Sequence, residues 1–363
     1  MIEVLLVLIV TALATSVPGV FLVLRGLSMT TDAISHTILL GIVLAFFMTN
    51  DIRSPWLIIA ASIIGIATVY IIELVSRTQL VRQDAAIGLV FTALFAAAIV
   101  LISKYSGNAH LDMDVVLMGE VLFAPFNRID VFGFSIPAAL WQLSIIMFVN
   151  FAFIALFYKE LKLTTFDPKF AFIAGFSATL IYYALMTLVS VTAVAAFDAV
   201  GSILVINFFV APALTAYLLV RRLSAMIWLS MLFAVWNSVI GYIIGFSYDL
   251  SIAGVTSFTA LVTFMAVFIF SPDGWLNGKL RALRQKRTFT RAMILMLMNE
   301  HGHTRLTAGE ITSHFNLNQK QFDNHMEHLL INDYIEKKNG QYTLTERGEE
   351  YTHYTRSKYE LPI

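Results

Sequence analysis

Asp32 and His36 stand four residues apart in the apolar run TDAISHTILLGIVLAFF. On a helix that spacing puts a carboxylate and an imidazole on one face. Ionisable groups inside a membrane-type segment are costly and usually face a pathway or a partner. One Asp with one His makes half of a site for a divalent first-row metal. Oxygen and nitrogen donors without thiolate suit Mn, Fe or Zn better than Cu(I). Two copies about a two-fold axis would bring two of each to a central pore. The alternative is that Asp32 caps a helix N-terminus while His36 hydrogen-bonds a neighbouring backbone group.

A second set of candidate donors lies near the C-terminus. Six of the eight histidines fall there: His301, His303, His314, His325, His328 and His353. His325 and His328 are one helical turn apart with Glu327 between them, and together with His301 and His303 they form a candidate regulatory metal site. Surface histidines on a polar domain are the plainer alternative. The chain has no Cys, which removes disulfides and thiolate ligands together. It has no G-x-x-x-x-G-K-[ST] phosphate loop, so it is not expected to hydrolyse ATP or to act as an enzyme.

The elements that must position these residues follow from composition. The chain has 363 residues, 58% hydrophobic and 13% charged, against about 25% charged in a typical soluble domain. The average conceals a split: 26 charged residues in 1–280 but 22 in the 83 residues of 281–363. This divides the chain into a transmembrane domain (1–272), a basic linker (273–287) and a cytoplasmic domain (288–363). Zero net charge excludes a global electrostatic pull on nucleic acid. The first apolar run carries Glu3 and no Lys or Arg before it. It therefore lacks the positive region of a signal peptide and is expected to be an uncleaved first span.

A membrane-crossing helix needs about 20 mainly apolar residues. Nine runs qualify, near 2–24, 32–50, 55–76, 85–103, 136–158, 171–190, 198–220, 224–246 and 252–271. With nine spans the basic clusters at Arg25, Arg77/Arg82, Lys159/Lys162/Lys169, Arg221/Arg222 and Lys279–Arg287 all fall on one side. Basic loops stay cytoplasmic, so the N-terminus is expected outside and the C-terminus in the cytoplasm. Arg53 and Arg128 are the exceptions. Glu73 and Asp84 are expected at the interface, Asp198 at the start of a helix, and Asn207 as a polar packing group.

Four stretches resemble the permease subunits of ATP-driven manganese/zinc/iron importers of the ABC class. GVFLVLRGLSMTTDAISHTILLGIVLAF (19–46) is similar to that family's arginine–small–Ser segment and its D-x-x-S-H helix. QDAAIGLVFTALFAAAIVLIS (83–103) resembles its acidic–A–I–G helix, LKLTTFDPKFAFIAGF (161–176) its F-D-x-x-x-A-x-x-x-G segment, and DAVGSILVINFFVAPALTAYLL (198–219) its V-G-x-x-L-V…P-A-x-T-A helix. The order is that of the family, over about 1–272. The resemblance implies a multi-pass protein of the bacterial cell membrane, embedded in lipid. It implies a pore formed with a second permease subunit, identical or related, and driven by a cytoplasmic ABC ATPase dimer. Metal would be delivered by an extracellular metal-binding lipoprotein and passed by alternating access. Asp32 and His36 would hold it transiently as substrate, with no permanently bound cofactor. Thr165, Phe166, Asp167, Pro168, Ala171 and Gly175 would belong to the helix that docks on the ATPase. Asp before Pro is itself a good helix start.

The tail reads as helices near 289–301, 307–315, 318–332 and 346–357 with a hairpin over 334–345. Asn339-Gly340 supplies the two-residue turn signal, and the L-T-x-x-G run at 344–348 fits the end of a wing. The whole resembles a winged-helix domain such as those of metal-dependent repressors. Residues 288–363 carry 8 basic and 10 acidic groups, and phosphate contact needs Lys and Arg, so nucleic acid is not an expected partner. A regulatory or protein-interaction role is expected instead. The fold class is thus an α-helical polytopic membrane protein with a small α+β winged-helix-like cytoplasmic domain. Rival functions are a membrane-anchored metal-responsive transcription regulator, an ABC permease for a metal chelate, and an ion-gradient transporter.

Overall fold

The computed structural model describes residues 2–51, 54, 56–105, 121–131, 133–272, 274–300, 306–338 and 340–358. It divides into two units, Met1–Pro272 and Asp273–Ile363.

The first unit is a helical bundle. Its long helices are α1 (Ile2–Leu24), α2 (Ser28–Thr49), α3 (Trp56–Arg77), α4 (Gln83–Tyr105) and α5 (Ala138–Leu156). Two short helices follow, α6 (Tyr158–Phe166) and α7 (Pro168–Ile173). The bundle ends with α8 (Ala178–Val200), α9 (Ser202–Leu219), α10 (Leu223–Ser247) and α11 (Ile252–Phe270). The nine long helices of this unit are long and apolar enough to cross a membrane. Helix α1 is apolar all round and runs through the middle, packing on α5, α8, α9 and α10. A helix without a polar face belongs inside a bundle, and Val7, Leu8, Ala12, Val20 and Phe21 are fully buried.

Small residues set the helix spacing, as expected where lipid removes the hydrophobic drive between helices. A Cβ at Gly41 would lie 2.6 Å from the Ala61 Cα, so glycine lets α2 and α3 touch backbone to backbone. Gly19 plays the same part for α1 against the Phe209 carbonyl of α9. Side-chain amides, one buried and one half-buried, add polar ties. Asn150 Nδ2 donates to the Ala14 carbonyl at 2.8 Å and to Thr192 Oγ1 at 2.9 Å, and Asn207 Nδ2 donates to the Ser257 carbonyl at 3.3 Å.

Between α4 and α5 lie a 3-10 turn (Val121–Phe126) and an antiparallel hairpin, β1 (Arg128–Val131) with β2 (Phe134–Pro137), in register Arg128↔Pro137. This hairpin explains an exception in the charge pattern. Arg128 Nη1 and Nη2 donate to the two carboxylate oxygens of Glu3 at 3.0 and 3.1 Å, and Nε donates to Ser135 Oγ at 3.0 Å. A cation so paired is neutralised where it stands. Arg53, the other exception, lies outside the described residues.

Several expected boundaries move, and the span expected over 171–190 is Ala178–Val200, because residues 171–173 belong to the short α7. Helix α2 begins at Ser28 rather than near 32. Helix α8 runs to Val200, so Asp198 ends one helix instead of starting the next. The break falls at Gly201, whose φ of +82° is open to glycine at no cost.

The second unit begins with α12 (Trp275–Glu300), then β3 (Leu306–Thr307), α13 (Ala308–Phe315), α14 (Gln319–Ile331), β4 (Ile335–Lys338), β5 (Gln341–Leu344) and α15 (Glu346–Lys358). Residues 275–287, assigned from sequence to a linker, are the first half of α12. Their Leu, Lys, Arg and Gln are good helix formers. The strands pair in the order β3-β5-β4, all antiparallel. Both inner helices start in capping boxes, Thr307 with Glu310 and Asn318 with Gln321, in which side chain and backbone N–H groups satisfy each other. Ile294, Ile311, Phe322, Met326, Leu329 and Tyr342 close one small core. This is a small α+β unit compatible with a winged helix. Gly340 follows the β4 strand with φ of +78°, while Asn339 lies outside the described residues.

Candidate functional site

The Asp32–His36 pair sits inside α2. The residue at the N-cap position is Leu27, with no side-chain capping bond, so Asp32 does not cap the helix. At 1.5 Å per residue the two side chains stand about 6 and about 12 Å along the axis from Ser28. His36 Nε2 lies 3.4 Å from Asp32 Oδ1, and each side chain is about one-third exposed, at 36% and 34%. They form the polar break in a face otherwise held inside the bundle: Thr31, Ser35 and Thr37 are buried, and their hydroxyls donate to carbonyls of their own helix. Two rings of α4 flank the imidazole. Phe91 stacks on it at 5.7 Å between centroids and Phe95 meets it edge-on at 5.7 Å. The rings were not singled out by sequence, although both lie in the QDAAIGLVFTALF stretch. Among the described residues no set of three or more His, Asp, Glu or Cys comes together in a way that could hold a metal. One chain therefore brings two donors, a carboxylate oxygen and an imidazole nitrogen, facing the same space.

Just before α2, the chain turns sharply. Leu27 N donates to the Leu22 carbonyl at 2.8 Å and Gly26 N to the Val23 carbonyl at 3.1 Å, with Gly26 at φ +70°. This is the paired-bond helix ending that needs a left-handed residue. Arg25 sits at the corner. Its Nη2 donates to Thr164 Oγ1 at 2.8 Å and its Nε to Thr165 Oγ1 at 3.1 Å.

Those threonines end α6, and the segment from Thr165 to Gly175 forms a tight elbow. Asp167 caps α7: its Oδ1 accepts from Phe170 N at 2.9 Å, and Pro168 takes the first helical position. Gly175 follows the helix at φ +85° and Phe176 N donates back to the Ala171 carbonyl at 2.9 Å. Ala171 is buried against the bundle, whereas Phe166, Phe170, Phe172 and Ile173 are exposed. A six-residue helix offering three large apolar side chains outward is a knob rather than a core element.

In the second unit, spacing and surroundings part company. His325 faces inward and is 8% exposed, while His328 is on the outer face. Burial, reinforced by the nearby Arg291 and Arg287 guanidiniums, holds the His325 imidazole below its ordinary value. Burial and Arg291 do the same to His328. His314 packs against the Phe315 ring at 5.1 Å. His301 and His303 lie outside the described residues.

Comparison with known proteins follows the two units. The family model described as "ABC 3 transport family" matches residues 1–271, and a winged helix-turn-helix model matches 286–360. The chain belongs to the ABC 3 transport family. It is 41% identical over 271 residues to the manganese transport system membrane protein MntD of Bacillus subtilis, covering 74% of this chain and 92% of that protein. It is 44% identical over 270 residues to the zinc transport system membrane protein TroD of Treponema pallidum, covering 74% of each. Among solved structures, PsaBC from Streptococcus pneumoniae in complex with Fab is similar with a TM-score of 0.64 at 29% identity, over 76% of this chain and 94% of that one.

Proposed function

We propose that this chain is the permease subunit of an ABC importer that carries a divalent transition metal across the cell membrane, manganese in preference, with zinc and iron as alternatives. The observation that carries the reading is the Asp32–His36 pair, 3.4 Å apart on a membrane-type helix of a family permease. The names of the relatives, manganese and zinc transport proteins, support the cargo class. Two oxygen- and nitrogen-donating groups per chain make a weak half-site, and two chains about the pore would complete four donors. Weak binding suits a conducting site, which must release what it holds.

The remaining roles follow from this assignment. The knob formed by α7, with Phe170, Phe172 and Ile173 exposed, is the surface for a cytoplasmic ABC ATPase, one of a dimer. An extracellular metal-binding lipoprotein presents the ion at the opposite end, and a second permease subunit completes the pore. The N-terminus lies outside and the C-terminus inside. The tail serves regulation. Its net charge is negative, and α14 has Lys320 alone against Asp323 and Glu327, which disfavours contact with phosphate.

Reconstitution with the ATPase and the binding lipoprotein in vesicles tests the function. ATP-dependent uptake of manganese, and to a lesser degree zinc or iron, is the expected result. Absence of ATP-dependent uptake of all three metals overturns it.

A further inference from the structure

The bond between Arg25 and the end of α6 joins two parts of the chain that the importer mechanism must connect. The geometry points to Arg25 as a positioning residue that ties the ATPase-docking elbow to the metal-bearing helix, so that movement of α6–α7 is passed to Asp32 and His36. This inference rests on the importer reading above.

Three features argue for it. First, Arg25 reaches two hydroxyls on successive residues, Thr164 and Thr165, across 139 and 140 positions of sequence. The rigid planar fork of the guanidinium lets Nε and Nη2 reach both hydroxyls at once. Thr164 is buried, and its own proton goes to the Glu160 carbonyl at 2.8 Å, so its oxygen is left to accept from the guanidinium.

Second, both ends of the tie are stiff. On one side the α1–α2 corner is closed by the paired bonds of Gly26 and Leu27, and Thr30 N donates to the Leu27 carbonyl at 2.9 Å. Arg25 is thereby fixed to the first turn of α2, and Asp32 follows one turn later. On the other side Asp167 N donates to the Leu163 carbonyl at 2.8 Å and the Asp167 carboxylate caps α7, so Thr164 and Thr165 are fixed to the docking knob. A push on the knob is carried through these bonds toward α2.

Third, the tie is an expensive choice if only stability were served. Arg25 is partly buried, desolvation lowers its pKa, and its acceptors on Thr164 and Thr165 are neutral hydroxyls. A partly desolvated cation held by neutral hydroxyls costs free energy. Apolar packing at this corner would avoid that cost and would lose the directional link.

The test uses the complete importer in vesicles and reads metal ions moved per ATP hydrolysed. Arg25→Ala is expected to lower that ratio by about tenfold, the scale of losing charge-assisted hydrogen bonds, while ATP hydrolysis in the partner subunit continues. Arg25→Lys, a single-pronged donor, should fall between wild type and Arg25→Ala, and Thr164→Val should move the ratio in the same direction by less. A purely structural role would lower the amount of assembled importer and leave the ratio unchanged. If Arg25→Ala does not assemble, the Lys and Val variants carry the measurement.

Because the chain has no cysteine, Arg25→Cys with Thr164→Cys can be joined by a short bifunctional thiol reagent. Joining is expected to restore the ratio that the unjoined double variant loses. An unchanged ratio in the assembled single variants, or a joined variant no better than the unjoined one, overturns the proposal. Failure of wild type to show any ATP-driven uptake overturns instead the importer reading on which it rests.

Discussion

Asp32–His36 on α2 and His325–His328 on α14 are both pairs of metal-competent side chains at helical spacing. In the first, the two groups share a face, stand 3.4 Å apart and are each about one-third exposed, with aromatic rings as their neighbours. In the second, the buried imidazole and the exposed one point to different environments, and Arg287 and Arg291 lie within electrostatic reach. A divalent cation approaching the first pair meets a carboxylate ligand in the pair itself, whereas one approaching the second meets two imidazoles within the field of guanidinium charge. Spacing nominates a pair, and the sign of what surrounds it decides what the pair can hold.

The largest effect should come from removing donors. Asp32→Ala or His36→Ala is expected to lower metal accumulation by more than the roughly 100-fold that outer-shell changes reach at metal sites, with membrane insertion unchanged. His325→Ala with His328→Ala should leave initial uptake within about twofold, below the scale of one ordinary hydrogen bond. Metal content of cells that lack their own importer and express each variant measures both. Uptake lost in the tail variant and kept in the α2 variants would invert the comparison.

The two pairs also differ in how far sequence could reach. The nine spans were legible because a run of some 20 apolar residues has few alternatives, and the tail helices because their capping residues, Thr307 and Asn318, stand at the expected starts. The start of α2 was not, because Ser28, Met29, Thr30 and Thr31 read as polar connection until the corner at Gly26 shows where the turn is made. The same held at α8, where the glycine at 201, not the charge at 198, ends the helix. Arg25 with Thr164 and Phe91 with His36 are contacts between distant stretches, and no local pattern encodes them. The D-x-x-S-H resemblance directed attention to Asp32 and His36, but it carries no information on the rings beside them. Nor does the spacing of His325 and His328 reveal that α12 brings two arginines near.

A smaller effect should separate the surroundings of the first pair from the pair itself. Phe91→Ala removes the ring stacked on His36 and leaves both donors. Uptake should persist with its half-saturating metal concentration raised by about tenfold, the lower range for outer-shell changes. Concentration dependence of initial uptake distinguishes this from loss of a ligand, which abolishes uptake at every concentration. Smaller again, Arg287→Gln with Arg291→Gln should strengthen zinc binding by the tail severalfold, because each guanidinium removed no longer repels a dication. Competition with a metal-sensitive dye, in a background with Asp32 and His36 both changed to Ala, isolates that gain. No gain would mean that the arginines do not set the affinity of the second pair.

The smallest effect is one of pH, and it reports on the burial of His325 together with its cationic neighbours. An unfolded histidine titrates near 6.5, and the folded His325 lies below its ordinary value because burial, then Arg291 and Arg287, oppose its charge. Over that interval the unfolded tail binds more protons than the folded one, so stability must fall as pH drops through about 6.5 and level off below the folded value. Hydrogen exchange of tail peptides in the full chain, corrected for the intrinsic pH dependence, should show weaker protection at pH 5.5 than at pH 7.5. His325→Gln removes the titrating group and should flatten the difference. Exposed His328 contributes little of it, so His328→Gln should leave the pH dependence almost as in wild type. If protection were the same at both pH values in the wild-type chain, neither burial nor the two arginines would oppose charge on the imidazole in the folded tail.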